Sequence, residues 1–171
     1  MLGGAGNVVR NLVSIGAAVD FVSVSGDDDI AADVNILLRD LAGVTPTLVT
    51  ERDRPTTSKV RYVAGGQQLL RADREVMTPI SDTVADSVFD AVEAALAEAG
   101  ALIVSDYGKG VITDQLVARL VAAARAAGKP VIVDPKSRDF ARYSGASLIT
   151  PNLKELGEAA EGDLTSEDGI V

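Results

Sequence analysis

The residues of this sequence that could do chemistry follow three apolar runs, at the points where the runs end. The strands predicted from these runs are residues 101–104, 131–133 and 148–150. The polar residues after them are Asp106 with Lys109, Asp134 with Lys136, and Asn152 with Glu155. Lysines hold phosphate oxygens as point charges, and Asn and carboxylate oxygens organise Mg²⁺ directly or through water. These residue types are suited to phosphoryl transfer.

The composition excludes several other kinds of chemistry. The 171 residues include no cysteine and no histidine, which removes disulfides, Cys/His zinc sites, Ser-His-Asp triads and cysteine nucleophiles. A net charge of −9 argues against nucleic acid as a partner. No apolar run reaches the ~18 residues of a membrane span and no signal peptide opens the chain. We therefore expect a cytoplasmic protein that does not associate with membranes.

The apolar runs alternate with helical patterns. Continuous apolar runs are typical of strands buried on both faces of a parallel sheet, and strand–helix alternation predicts an α/β, doubly wound, mainly parallel sheet. Ligands of such sheets bind beyond the carboxyl ends of the strands. The alternative for each polar residue is local: Asp at a strand end is often a helix N-cap or turn residue, and Glu155 could simply favour a helix dipole.

Two further segments carry candidate binding residues. A Gly-rich turn at residues 3–7 opens a helix, which offers unpaired N–H groups to a ligand or is an ordinary helix start. Residues 45–73 have a β character, with a hairpin signal at Gly65 and Gly66. Lys59 and Arg61 are two residues apart and project from one strand face. This hairpin is predicted to cover a pocket, or to be an edge protected by charges.

The sequence matches neither of the two common nucleotide-binding fingerprints. Residues 3–6 lack the Gly-x-Gly-x-x-Gly spacing and a preceding strand, and no P-loop motif occurs. The residues alone therefore indicate an α/β protein that binds an anion at the carboxyl ends of its parallel strands.

Taken in order, the motifs resemble the ribokinase-like (PfkB) family of sugar kinases. Residues 3–7 look like its sugar-binding Gly-Gly-x-x-Asn turn, residues 24–28 like the strand and turn that follow, and residues 152–155 like its Asn-x-x-Glu motif. Other segments are similar to the heptose 7-phosphate kinase branch of the family. Those segments are residues 57–61, 67–73, 105–110 and 134–136.

The resemblance implies roles for particular residues. Contacts with the sugar or its phosphate are implied for Gly3, Gly4, Asn7, Lys59, Arg61, Gln68, Arg71, Asp106 and Lys109. Contacts with ATP are implied for Asp134, Lys136, Asn152, Leu153, Lys154 and Glu155. Mg²⁺ is implied to contact Glu155 through water. The resemblance also implies two partners. One is a second copy of the chain, in a homodimer formed through the lid strands, which lie within residues 45–73. The other is a fused adenylyltransferase domain.

The resemblance also implies that residues 1–171 form a partial kinase domain, incomplete at both ends. The family begins with a strand whose Asp binds sugar hydroxyls, and its catalytic base lies in a Gly-Ala-Gly-Asp motif expected beyond Val171. No residue of this chain is therefore assigned as the catalytic base, and we expect little or no kinase activity from the isolated chain. The alternatives are a kinase for another sugar or a nucleoside, and a non-catalytic remnant or assembly module.

Overall fold

The computed structural model describes residues 1–160, so the predicted domain of 1–171 extends beyond the described residues. The helices in this range are α1 (Gly4–Ser14), α2 (Asp29–Arg39), α3 (Asp82–Leu96), α4 (Asp114–Ala126) and α5 (Leu153–Ala160). The strands are β1 (Val19–Ser25), β2 (Val44–Thr50), β3 (Ser58–Ala64), β4 (Gln67–Arg74), β5 (Leu102–Ser105), β6 (Val131–Asp134) and β7 (Leu148–Ile149). A 3₁₀ helix covers Phe140–Tyr143.

The chain forms two compact units. The first contains Met1–Ala91 and Lys109–Val111, and the second contains Val92–Gly108 and the described residues from Ile112 onward. Each unit has its own parallel strands, β1 beside β2 in the first and β5-β6-β7 in the second. The predicted α/β class with parallel sheets is confirmed.

The first unit combines a parallel strand pair with an antiparallel hairpin. Asp28 caps α2 because its Oδ1 accepts the Ala31 N–H at 3.0 Å. Strand β2 pairs with β1, so it belongs to this sheet, and the other strands of the predicted β region form the hairpin β3–β4. Gly26 is required after β1 because a Cβ there would collide with the carbonyl oxygen of Arg54.

The hairpin β3–β4 has one polar and one apolar face. Facing residues of an antiparallel pair project to the same side, and the register pairs Lys59 with Asp73, Arg61 with Arg71, and Val63 with Gln68. Between Tyr62 and Val63 the register passes over Leu69, an extra residue of the kind that forms a β-bulge. The bulge returns Gln68 to the polar face. That face therefore carries all four predicted lid residues: Lys59, Arg61, Gln68 and Arg71.

The second unit packs α4 against the sheet β5-β6-β7. Its core consists mainly of valines from these elements, Val104, Val117, Val121, Val131 and Val133, together with Leu96 of α3 and Tyr143 of the 3₁₀ helix. Thr113 caps α4 through a 3.1 Å hydrogen bond from the Leu116 N–H. Ser105 at the end of β5 lies opposite Asp134 at the end of β6. The three strand ends therefore meet at one edge, as the sequence predicted.

Candidate functional site

The carboxyl ends of β5, β6 and β7 border a cavity of about 250 Å³ within the second unit. The residues that line it are Asp106, Tyr107, Asp134, Pro135, Lys136, Thr150, Asn152 and Glu155. The structure thus brings together five of the residues that the sequence singled out after the apolar runs. The sixth, Lys109, belongs to the first unit.

Asp106 is buried and held by hydrogen bonds inside its unit. Only 5% of the residue is exposed. Its Oδ1 accepts the Gly108 N–H at 2.7 Å, its Oδ2 accepts the Tyr143 hydroxyl at 2.7 Å, and the Arg142 guanidinium lies 3.7 Å away. Burial, followed by the hydrogen bond to Asp106, raises the pKa of Tyr143. These contacts fix the loop after β5, and with it the wall of the cavity.

The Tyr143 hydroxyl also connects the loop after β6 to this network. The backbone N–H groups of Lys136 and Ser137 each lie 3.4 Å from the Tyr143 oxygen. A single hydroxyl therefore contacts the loops that follow two neighbouring strands. This arrangement places the Lys136 ammonium, on a half-exposed side chain, at the mouth of the cavity.

Asp134 carries a perturbed carboxylate. Burial is the largest cause that raises its pKa, and the negative charges of Glu155 and Asp106 add to it, while the Lys136 ammonium opposes them. A partly buried carboxylate with acidic neighbours in a cleft is characteristic of functional sites.

Asn152 and Glu155 form a reciprocal cap at the start of α5. The Asn152 Oδ1 accepts the Glu155 N–H at 3.0 Å, and the Glu155 Oε2 accepts the Asn152 N–H at 3.1 Å. This is the geometry of a capping box. The hydrogen bond from Asn152 is the largest cause that lowers the pKa of Glu155. The other oxygen, Oε1, lies 3.0 Å from the Lys136 ammonium.

The Lys136 ammonium of this cavity is suited to the phosphates of a nucleotide. The Glu155 carboxylate is suited to a metal ion that is held through water. Within residues 1–160 there is no cluster of three or more His, Cys, Asp or Glu that could enclose a metal ion. Glu155 keeps a carboxylate on the cavity wall, which suits Mg²⁺ because this ion retains several of its water ligands. Leu153 and Lys154 are exposed, and the Lys154 ammonium lies 3.7 Å from Glu158.

The first unit holds a cluster of cationic side chains on the polar face of the hairpin. The Lys59 ammonium lies 2.6 Å from Asp73, and the Arg71 guanidinium lies 3.0 Å from the same carboxylate. The hydrogen bond from Lys59 is the largest cause that lowers the pKa of Asp73, and that bond raises the pKa of Lys59 in turn. Arg61 and Gln68 are exposed on the same face.

Lys109 joins this cluster through Glu75. The Glu75 Oε1 lies 2.6 Å from the Lys109 ammonium, and its Oε2 lies 3.5 Å from the Lys59 ammonium. The hydrogen bond from Lys109 is the largest cause that lowers the pKa of Glu75. The predicted residues Lys59, Arg71 and Lys109 therefore lie around two carboxylates.

The Gly-rich turn supplies the start of α1. Gly3 is the N-cap residue, and no side chain caps its helix, so the first N–H groups are free to bind a ligand. Gly3, Gly4 and Asn7 are exposed. Gly6 is buried, and a Cβ there would meet the Leu2 side chain. Among residues 1–160 no ion pair or side-chain hydrogen bond joins these turn residues to the hairpin.

Sequence reasoning missed the residues that hold the candidates in place. Arg54 is the clearest case, because its guanidinium donates to the carbonyl oxygens of Val76, Thr78 and Lys109 and pairs with Glu51. Tyr143 and Glu75 were missed as well. Tyr143 meets Asp106 across 37 residues and Glu75 meets Lys109 across 34, and no local sequence motif indicates these pairs.

Among the described residues, no helix combines the length and apolar character that crossing a membrane requires.

Comparison with known proteins gives a family match over the full sequence. The profile described as pfkB family carbohydrate kinase matches residues 1–171. The chain is 47% identical over 171 residues to the bifunctional protein HldE of Paramagnetospirillum magneticum, covering 100% of this chain and 35% of that protein. It is 49% identical over 172 residues to the bifunctional protein HldE of Caulobacter vibrioides, covering 98% of this chain and 35% of that protein. The chain thus spans about a third of the length of these relatives.

Solved structures of low sequence identity share the fold. The tetrameric inhibited form of phosphofructokinase-2 from Escherichia coli has a TM-score of 0.74 at 22% identity, with 98% of this chain and 55% of that chain covered. A possible 1-phosphofructokinase from Thermotoga maritima has a TM-score of 0.70 at 17% identity, with 91% and 50% covered.

Proposed function

The chain belongs to the pfkB family of carbohydrate kinases, and from that premise we propose that it is part of a sugar phosphate kinase. The proposed reaction transfers a phosphoryl group from Mg²⁺-bound ATP to the C1 hydroxyl of D-glycero-D-manno-heptose 7-phosphate. The product would serve ADP-heptose synthesis for the lipopolysaccharide core. This substrate is supported over others by residues 57–61, 67–73, 105–110 and 134–136, which resemble the heptose 7-phosphate kinase branch.

The cationic face of the hairpin is the observation that carries the proposal. A substrate that already bears a phosphate needs positive charge at a point other than the nucleotide site. Lys59, Arg71 and Lys109 provide three cations against the two carboxylates of Asp73 and Glu75, so the cluster keeps an excess positive charge. We assign the phosphate of the sugar to this cluster, with Arg61 and Gln68 on the same face as further donors.

The second unit would bind the nucleotide. ATP with Mg²⁺ supplies the transferred phosphoryl group when bound. Lys136 would hold phosphate oxygens, Asn152 and Glu155 would position the start of α5 toward them, and Glu155 would contact Mg²⁺ through water. Asp134, Leu153 and Lys154 complete the proposed nucleotide side. Gly3, Gly4, Asn7 and Asp106 are proposed to bind the sugar.

The catalytic base is not assigned to this chain. The resemblance places it in a Gly-Ala-Gly-Asp motif, which does not occur in the sequence. Loss of a general base lowers the rate by about 10²–10⁴-fold. The 171-residue chain by itself is therefore expected to have little kinase activity.

The test compares the full-length product of the reading frame with the isolated 171-residue chain. ADP release is measured with heptose 7-phosphate, fructose 6-phosphate, fructose 1-phosphate and a nucleoside as acceptors. We expect turnover by the full-length product that is highest with heptose 7-phosphate, and near-background turnover by the isolated chain. A higher kcat/KM with another acceptor would reassign the substrate within the family. A lack of turnover with every acceptor would contradict the kinase proposal.

The proposed setting is a cytoplasmic homodimer fused to an adenylyltransferase domain. The fused domain is supported by the word bifunctional in the names of the relatives. The homodimer is supported by the apolar face of the hairpin, where Val60, Tyr62 and Leu70 are 47%, 52% and 58% exposed. Contiguous apolar surface of this kind marks an interaction site.

A further inference from the structure

Glu75, in the first unit, contacts cations from both the hairpin and the segment 109–111. It follows β4 directly, and its two oxygens face two different ammonium groups. The Lys109 ammonium is 2.6 Å from Oε1, and the Lys59 ammonium is 3.5 Å from Oε2. Lys59 is on the hairpin and Lys109 is 34 residues beyond Glu75, so one side chain bridges two cations from distant parts of the sequence.

The environment of Glu75 is costly for a residue that served only stability. Its Oε2 is buried and accepts no hydrogen bond from the described residues, although the Lys59 ammonium lies 3.5 Å away as an ion-pair partner. A buried acceptor without a hydrogen bond is unfavourable for folding. The hydrogen bond from Lys109, together with the charges of Lys109 and Lys59, lowers the pKa of Glu75, so the carboxylate remains charged. Such an unfilled acceptor beside two lysines indicates a role in arranging them.

The backbone around Glu75 and Lys109 is fixed by Arg54. The Arg54 Nη1 donates to the carbonyl oxygens of Val76, which follows Glu75, and of Lys109, both at 3.2 Å. The Arg54 side chain is 9% exposed, so this contact is shielded from solvent. Glu75 therefore extends from an immobilised backbone toward Lys109, whose own backbone is held by the same guanidinium.

Both lysines keep donors for a ligand. An ammonium group has three N–H donors. Lys109 uses one of them for Glu75, and Lys59 uses one for Asp73. The side chain of Lys109 is 27% exposed and that of Lys59 is 42% exposed. A lysine stem that is already held in place loses less conformational freedom on binding than a free one.

Resting on the proposed function, we propose that Glu75 is a positioning residue for the phosphate of the sugar substrate. Its carboxylate holds Lys59 and Lys109 together, so that their remaining N–H donors converge on one phosphate group. If Glu75 only repelled an anionic substrate, removal of its charge would tighten substrate binding; if it positions the two lysines, removal of its charge would weaken binding. The experiment therefore distinguishes the two.

The kinetic test uses Glu75→Gln in the full-length product. The amide keeps the size of the side chain and removes its charge. We expect KM for the sugar phosphate to rise about tenfold, with kcat changed less than about threefold and KM for ATP unchanged. Glu75→Asp keeps the charge but is shorter by one methylene and is expected to restore KM only partly. The matched control is Glu93→Gln on the exposed side of α3, which is expected to behave as the unaltered protein.

A binding test gives a readout without turnover. The side-chain nitrogens of ¹⁵N-labelled lysine are followed by NMR while inorganic phosphate is added, and are assigned with lysine-to-arginine variants. We expect the Lys59 and Lys109 signals to shift with one common midpoint, and this midpoint to rise about tenfold in Glu75→Gln. Phosphate that shifts neither lysine, or binds more tightly to Glu75→Gln, would overturn the inference.

The two tests separate this inference from the proposed function. Turnover of heptose 7-phosphate with an unchanged KM in Glu75→Gln would leave the kinase proposal intact and refute the role of Glu75. Failure of the unaltered protein to phosphorylate any acceptor would refute the kinase proposal. In that case the inference would still be supported if phosphate shifted both lysine signals with one common midpoint and that midpoint rose in Glu75→Gln.

Discussion

Asp134 shows how a single residue of the cavity is held in an unfavourable charge state. Its carboxylate is partly buried and faces the acids Glu155 and Asp106, with Lys136 as the compensating cation. Burial favours the neutral form, and the like charges act in the same direction. The folded protein therefore binds a proton at Asp134 more tightly than the unfolded chain does, and the ionised group opposes folding.

We predict that Asp134→Asn stabilises the protein at neutral pH. The raised pKa makes the penalty absent below the unfolded value of 3.8. The penalty then grows as the pH rises from that value through the folded pKa. The gain in unfolding free energy should therefore be largest at pH 7 and shrink toward pH 4, as measured by urea unfolding. Asp53→Asn, in an exposed loop, is the control. A gain that is equal at both pH values would show that ionisation is not its cause.

The residues of the cavity could be predicted from the sequence only where a local pattern exists. Asp106, Asp134 and Asn152 each follow an apolar run, and parallel pairing places such run ends side by side. Tyr143 follows no such rule, because it reaches Asp106 across 37 residues. Glu75 and Lys109 are likewise 34 residues apart. Side-chain pairs of this kind are decided by tertiary packing, which periodicity does not encode.

The hairpin is an element whose entry and exit are tied by one side chain. Arg54 lies in the loop that leads from β2 to β3, and it donates to the carbonyl oxygens of Val76 and Thr78 in the segment that follows β4. Glu51 orients the guanidinium and also accepts the Ser81 N–H at 2.8 Å. The planar guanidinium presents several donors in a fixed fork, which a lysine ammonium cannot reproduce.

We predict that Arg54→Lys loosens the root of the hairpin. Loss of the fork removes several buried hydrogen bonds, which should lower the unfolding free energy by about 2–4 kcal/mol. Amide hydrogen exchange should accelerate at residues 75–80 and at 109–111, while β5 and β6 keep their protection. Arg52→Lys is the matched control, because Arg52 is exposed in the same loop. Equal exchange in the two variants would show that Arg54 is not the clamp.

The sequence predicted the elements themselves well, since apolar periodicity and capping residues are local. It predicted the hairpin and the common face of Lys59 and Arg61, but not the bulge at Leu69 that returns Gln68 to that face. A bulge depends on how two strands align, so a single strand carries no sign of it. The same holds for β2, whose partner turned out to be β1 and not a lid strand.

At the scale of the whole molecule, strand–helix alternation was enough to predict an α/β fold with parallel sheets. The division into two compact units was not predicted, because no linker composition marks it and the segment 109–111 joins the first unit from within the sequence of the second. The relatives and the structural neighbours confirm the fold. They do not establish whether this chain forms an oligomer. The exposed apolar face of the hairpin is the physical reason to expect that it does.

We predict that the full-length protein associates through the apolar face of the hairpin. Leu70 is central to that face, opposite Tyr62, and is 58% exposed. Burial of a leucine side chain contributes about 1.5–3 kcal/mol, and a lysine there would also carry a charge into the contact. Leu70→Lys should raise the dissociation constant of the dimer by about tenfold or more in sedimentation velocity experiments. Ile36→Lys on α2 is the control, because Ile36 is also 58% exposed. Equal weakening by both substitutions, or an unaltered protein that is monomeric at micromolar concentration, would contradict association through this face.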